Sequence, residues 1–150
     1  DIGLGALLGL SDFRVDAFFT ALHGEYIAKK YREVNIAYAL PRIRPHEGEF
    51  DDINKVNDKN FVQMLLAFKI FNPTASINIS TRERPVFREN LIPLGANKIS
   101  AGVSTNVGGH AIEGVGEEQF VINDTRSAKE IKNVIKSLGY QAIFKDWERI

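Results

Sequence analysis

The strongest constraint on the fold of this chain is an alternation. Short runs with strand character, residues 2–9 (IGLGALLG), 34–40 (VNIAYAL), 75–80 (ASINIS) and 97–103 (NKISAGV), are separated by stretches whose apolar residues recur at helical spacing. A helix between two strands returns the chain to the end where it started, so successive strands run parallel and the crossovers are right-handed. Four such β/α units predict an α/β fold. Its form is either a small open sheet or half of an eight-stranded barrel. Uncovered sheet edges favour the half-barrel, or pairing with a second copy of the chain.

The helices carry their own punctuation. Ser11 is the expected N-cap of the first, with Asp12 in its first turn. Val15, Phe18, Phe19, Leu22, Tyr26 and Ile27 then follow at three- and four-residue steps toward Lys29, Lys30 and Arg32, cations suited to a helix C-terminus. Asn57 or Asp58 caps the second helix, whose core stripe is Phe61, Met64, Leu65, Phe68 and Phe71, and Asn72-Pro73 stops it. A third helix spans 85–94, with Pro85 in the first turn where proline is tolerated. Ser127 and Glu130 form a capping box for the last, 128–138, which Gly139 ends.

Composition sets the function classes. At 150 residues the chain is read as one unit, 1–150, with a glycine-containing connection at 105–124 and a tail at 140–150. Nineteen basic residues balance nineteen acidic ones, which gives no electrostatic case for nucleic acid or an anionic membrane. No apolar run reaches the roughly 18 residues a membrane span needs, and no cysteine supplies a disulfide or a thiolate ligand. His23, His46 and His110 are scattered without metal-ligand spacing. A cytoplasmic protein is expected. The chain opens at Asp1 directly into an apolar run, which reads as a piece cut from a longer protein.

In parallel sheets the chemistry sits where strands end and loops begin. The third strand ends in Ser80, Thr81, Arg82 and Glu83, a cation beside a carboxylate, suited to holding a small polar substrate; the alternative, that Arg82 and Glu83 open a solvated helix, stands beside it. The second ends in Pro41-Arg42-Ile43-Arg44-Pro45, where flanking prolines aim two arginines out of the strand end. Ser100 lies toward the end of the fourth. Gly3, Gly5 and Gly9 have the spacing GxGxxxG rather than that of a dinucleotide loop, and suit close approach of a ligand or a neighbouring backbone.

Five ordered motifs, IGLGALLGLSDFR from Ile2, LPRIRP from Leu40, STRE from Ser80, ISAGVS from Ile99 and GYQAIFKDW from Gly139, together resemble the C-terminal half of the 2-iminoacetate synthase family. These are the radical S-adenosylmethionine tyrosine lyases of thiamine biosynthesis. The tyrosine lyase that matures iron-only hydrogenases is a related family; it carries a further cluster-binding domain with cysteines, which this chain lacks. The resemblance implies the C-terminal half of a (β/α)8 barrel, with the cluster-binding CxxxCxxC motif in a preceding half. It implies S-adenosylmethionine and a 4Fe-4S cluster in the intact enzyme and neither held by this piece alone. Partners implied are L-tyrosine, the missing half-barrel and thiazole synthase; separately, the open sheet edges predict that the piece self-associates. Cleavage of tyrosine at Cα–Cβ would give p-cresol and 2-iminoacetate (dehydroglycine). In substrate binding the resemblance implicates Arg82 and Ser100 as carboxylate ligands, with Ser80 and Glu83 beside them. Gly3, Gly5 and Arg42 fall on the cofactor side, no catalytic residue is assigned, and the glycines at 108 and 109 suit a lid.

A second class of function stays open, a non-catalytic α/β binding or assembly domain whose motifs are only structural. A CxxxCxxC in the reading frame upstream of Asp1 separates the two.

Overall fold

The computed structural model describes residues 1–44, 53–105 and 120–144. Strands β1 (Ile2–Leu4), β2 (Ile36–Ala39), β3 (Ser76–Ile79) and β4 (Lys98–Ile99) alternate with helices α1 (Phe13–Lys30), α2 (Asp58–Phe71), α3 (Pro85–Leu91) and α4 (Ala128–Ser137). All pairings are parallel, and the order across the sheet is the order along the chain. This is the expected α/β architecture. In such a singly wound sheet right-handed crossovers stack the helices on one face. The burial of β3 reflects it: Ile77 and Ile79 are fully covered, whereas Ser76 and Asn78 on the opposite face are half-buried.

The covered face is the core. Phe61, Met64, Leu65 and Phe68 of α2 are buried against Tyr38, Ile77 and Ile79 of the sheet, each large apolar side chain contributing about 1.5–3 kcal/mol. Phe68 stacks on Tyr38 with ring centroids 4.5 Å apart. Phe71, expected in the same stripe, is 48% exposed at the helix end.

Helix α1 packs differently from α2. Its inward side is small: Ala17, Ala21 and Ala28 join Phe13 and Ile27 against the core. Gly24 lies so close to Tyr38 that a Cβ there would meet the phenolic oxygen at 2.3 Å. The larger residues Phe18, Phe19, Leu22 and Tyr26 are exposed. The cap also differs from expectation. Asp12, not Ser11, is the N-cap, because its extended backbone lets its carboxylate accept from the Arg14 N–H at 2.8 Å. Asn57 caps α2, Pro85 opens α3, and Ser127 with Glu130 forms the capping box of α4. β4 is shorter than the 97–103 run; beyond it Gly102, at φ +59°, turns the chain, and its N–H donates to the Arg126 carbonyl at 3.0 Å.

The glycines at 108, 109, 114 and 116, together with Pro45, His46, His110 and residues 145–150, lie outside the described residues.

Candidate functional site

Four adjacent parallel strands bring their C-terminal ends to one edge, and most of the sequence-selected residues lie there. Gly5 directly follows β1, Arg42 follows β2, Ser80 to Glu83 follow β3, and Ser100 follows β4. Gly3 sits within β1 itself.

The backbone prepares this edge. Beyond β1 and β2 the two chains stay paired: Leu8 donates to the Pro41 carbonyl and accepts from Ile43, both at 2.8 Å, which fixes Arg42 between them. After β3 a tight turn forms, in which Glu83 N–H donates to the Ser80 carbonyl at 3.2 Å and Arg82 N–H to the Ser80 hydroxyl at 3.2 Å. This turn sends Arg82 and Glu83 into different surroundings.

Glu83 is buried at 1% exposure and its two oxygens are taken. Arg42 grips it with Nε at 2.9 Å and with Nη2, and Arg44 Nη2 donates to the same carboxylate at 2.9 Å. Arg42 also donates to the Val56 carbonyl at 3.0 Å and to Asp58 at 2.8 Å, and lies 5.1 Å from the ring centroids of both Phe61 and Phe87. Burial opposes its charge, but Glu83 and Asp58 outweigh that and raise its pKa. Asp58 in turn accepts from Arg84 at 2.7 Å; burial would raise its pKa, and the two arginines lower it instead. Arg42, Arg44 and Arg84 each have a carboxylate.

Arg82 does not. Among the described residues its guanidinium makes no ion pair; it lies over the ring of Phe120, 3.5 Å from the centroid. Burial and the neighbouring Arg44 both lower its pKa, with Glu83 the weaker opposing influence. A half-buried guanidinium stacked on one face, with its in-plane N–H groups unengaged, is suited to a carboxylate taken from solution.

Ser100 is tied by its backbone: its N–H donates to the Ile79 carbonyl at 3.2 Å and its carbonyl accepts from Arg88. No hydrogen bond joins Ser100 to Arg82 among the described residues. A Cβ at Gly5 would stand 2.2 Å from the Ala39 carbonyl oxygen, so close backbone approach requires glycine there, whereas among the described residues no atom lies within 4 Å of a Cβ at Gly3. Among the described residues no group of three His, Asp or Glu side chains could hold a metal ion.

Sequence reasoning gave Asp58 only a capping role and did not single out Phe120, Arg88 or Asp124. Arg88 is fully buried in α3 and pairs with buried Asp124, which also accepts from Arg126 at 2.9 and 2.8 Å. Burial would raise the Asp124 pKa, but the bonds from Arg126 and Arg88 win and hold it at about 2. The available signal was an arginine between the apolar Phe87 and Leu91 of a short helix.

Residues 39–141 match the family model described as the Biotin and Thiamin Synthesis associated domain. The chain is 37% identical over 148 residues to 2-iminoacetate synthase of Salmonella typhimurium (strain LT2), and 36% identical over 148 residues to that of Escherichia coli (strain K12). In both cases the match covers 98% of this chain and 39% of the relative, so the chain spans about two fifths of the length of these relatives. In solved structures, 93% of the chain superposes on the FeFe-hydrogenase maturase HydG from Carboxydothermus hydrogenoformans, with TM-score 0.79 and 32% identity, covering 32% of that chain. A second HydG structure gives TM-score 0.80 at 34% identity, covering 31% of that chain.

Proposed function

The chain belongs to the Biotin and Thiamin Synthesis associated domain family, and from that premise we propose that it is the C-terminal half-barrel of a longer radical S-adenosylmethionine lyase. The intact enzyme cleaves L-tyrosine between Cα and Cβ to 2-iminoacetate and p-cresol, in the cytoplasm, for the thiazole of thiamine and its synthase. This half binds the substrate carboxylate. The reading is supported by the similarity to 2-iminoacetate synthase over 98% of the chain.

The observation that carries the site assignment is the guanidinium of Arg82, which makes no ion pair among the described residues, beside Arg42, Arg44 and Arg84, which each hold a carboxylate. A cation disfavoured by burial and by Arg44 gains most from an incoming anion. Arg82 supplies the planar fork for the tyrosine carboxylate, with the hydroxyls of Ser80 and Ser100 at the same edge as further donors. Glu83 acts behind it, holding Arg42 and Arg44 in place. Fixing the amino acid at its carboxylate orients the Cα–Cβ bond for a reaction that depends on placement more than on acid–base help.

With no cysteine in the chain, these residues do not fit a cysteine-held iron–sulfur cluster, and none of its chemistry is assigned to them. S-adenosylmethionine, when bound, supplies the hydrogen-abstracting radical chemistry, and the open space at Gly3 is where β1 admits close approach. Arg42 bounds that side with its guanidinium engaged by Glu83 and Asp58.

Tyrosine affinity of the full-length enzyme, measured by titration calorimetry for wild type, Arg82→Lys and Arg82→Ala, tests the assignment. Loss of a charge-assisted pair costs about 1.5–3 kcal/mol, so Arg82→Ala is expected to bind roughly 10- to 100-fold more weakly. Arg82→Lys falls between, because a point charge replaces a fork. Unchanged affinity and p-cresol formation in both variants would remove Arg82 from the site.

A second reading, a binding or assembly module, draws on the outward aromatic face of α1, where Phe18, Phe19 and Tyr26 are 58%, 63% and 57% exposed. Tyrosine-dependent p-cresol release by the full-length protein separates the two.

A further inference from the structure

Arg82 and Ser100 follow different strands and do not bond to each other, so their spacing depends on what holds each from behind. Both are held by one buried unit. Arg88 of α3 is fully buried; one arm of its guanidinium donates to Asp124 and another to the backbone carbonyl of Ser100. The Asp124 N–H donates to the Thr81 carbonyl at 3.1 Å, the Asn123 N–H to the same carbonyl at 3.0 Å, and the Asn123 side-chain amide to the carbonyl of Arg82 at 2.7 Å. Arg126 closes the unit from outside, donating to Asp124 and, at 2.6 Å, to Glu89.

Stability alone is a weak reason for such a unit. A buried ion pair is often matched or exceeded by apolar residues of the same volume. This one also leaves the Arg88 Nε–H buried without a partner among the described residues, which is a further cost. What a guanidinium provides and a hydrocarbon does not is direction: donors at fixed angles, one toward Asp124 and one toward Ser100.

We propose that the Arg88–Asp124 pair is a positioning unit that sets the spacing between Arg82 and Ser100, and thereby how well this edge accepts the carboxylate of an amino acid. The proposal rests on the reading of Arg82 as the carboxylate donor. Neither Arg88 nor Asp124 touches substrate; they act through the backbones of the residues that do.

The test uses the full-length enzyme with two ligands, tyrosine and tyramine, which has the ring and amine but no carboxylate. Dissociation constants are measured for wild type, Asp124→Asn, Arg82→Ala and the double variant. Asp124→Asn is expected to weaken tyrosine about tenfold, to leave tyramine unchanged, and to add nothing once Arg82 is alanine, since coupled residues lose additivity. Equal losses for tyrosine and tyramine, or the same loss on both Arg82 backgrounds, would reduce the pair to a structural role. A loss in Arg82→Ala with none in Asp124→Asn overturns this inference while leaving the carboxylate reading intact. No loss in Arg82→Ala removes that reading and this inference with it. Where Asp124→Asn does not fold, Arg88→Lys decides by the same comparison, because it keeps the buried charge beside Asp124 and loses the arm to Ser100.

Discussion

The guanidinium of Arg82 lies 3.5 Å from the centre of the Phe120 ring, joining the edge of β3 to the far end of the long connection. Burial disfavours that cation, and an aromatic face offsets part of the penalty, by about 0.5–2 kcal/mol for a cation over a ring. Stacking on one face also leaves the in-plane N–H groups available. Phe120→Leu keeps apolar bulk and removes the ring. If Arg82 holds the tyrosine carboxylate, tyrosine affinity of the full-length enzyme should fall roughly 2- to 20-fold, with little change in Tm; calorimetric titration beside a thermal scan measures both. Unchanged affinity would mean that the ring does not prepare Arg82.

Glu83, next in sequence, governs stability instead. It neutralises two arginines from a buried position, accepting from Arg42 Nε and Arg44 Nη2 at 2.9 Å each. Glu83→Gln leaves Arg42 with Asp58 as its remaining carboxylate and takes from Arg44 the carboxylate it holds, and breaking a buried pair by removing one partner costs about 3–5 kcal/mol. The exposed pair Lys29–Glu25 on α1 is the control: Glu25→Gln is expected to cost no more than about 0.5 kcal/mol. Urea midpoints for the two variants should separate clearly, and equal midpoints would show that the Glu83 cluster contributes nothing special.

The contrast between these neighbours marks how far the sequence could be read. Alternating strand and helix patterns imply which residues fall at strand ends, so Arg42, Arg82 and Ser100 could be located without coordinates. Periodicity identified α1 but could not say which face it buries, because both faces are apolar; Gly24 packs where Tyr38 leaves no room for a Cβ, and three alanines lie against the core on the same helix. Ser11 and Asp12 are both competent caps, and only the backbone geometry chooses Asp12. The Arg88–Asp124 pair was hidden for another reason. Its members are 36 residues apart, and buried ion pairs carry no local signature that identifies the partner.

Asp124 gives the acid limb of stability. Its folded pKa, about 2, lies below the ordinary 3.8. A depressed carboxylate contributes stability that is fully present above its unfolded value and is lost as pH falls toward the folded one. The interval corresponds to about 2 kcal/mol, present at pH 5 and above and lost between about pH 4 and pH 2. Asp58, lowered by Arg42 and Arg84 against the effect of burial, adds in the same direction. Urea unfolding across this range should show the wild type losing more stability than Asp124→Asn. Parallel pH profiles would mean that Asp124 is not held ionised by Arg126 and Arg88.

Gly3 and Gly5 stand two residues apart on the same sheet edge and should respond oppositely to alanine. At Gly5 a Cβ would lie 2.2 Å from the Ala39 carbonyl oxygen, and the obstacle is backbone in the adjacent chain, which cannot swing aside as a side chain can. Gly5→Ala must therefore push the β1 end away from β2, at a cost of at least about 1–3 kcal/mol, typical of overpacking. At Gly3 no atom of the described residues lies within 4 Å of the added carbon, and its φ is not positive, so alanine fits here without strain. Stability of Gly3→Ala should match the wild type or exceed it slightly, since the unfolded chain loses freedom. In the full-length enzyme Gly3→Ala then reports on whatever approaches β1, with the urea midpoint showing whether protein or ligand is affected. If S-adenosylmethionine lies against β1, its affinity for the full-length enzyme should drop in Gly3→Ala while the urea midpoint holds. An unchanged affinity at unchanged stability would clear the cofactor from this strand.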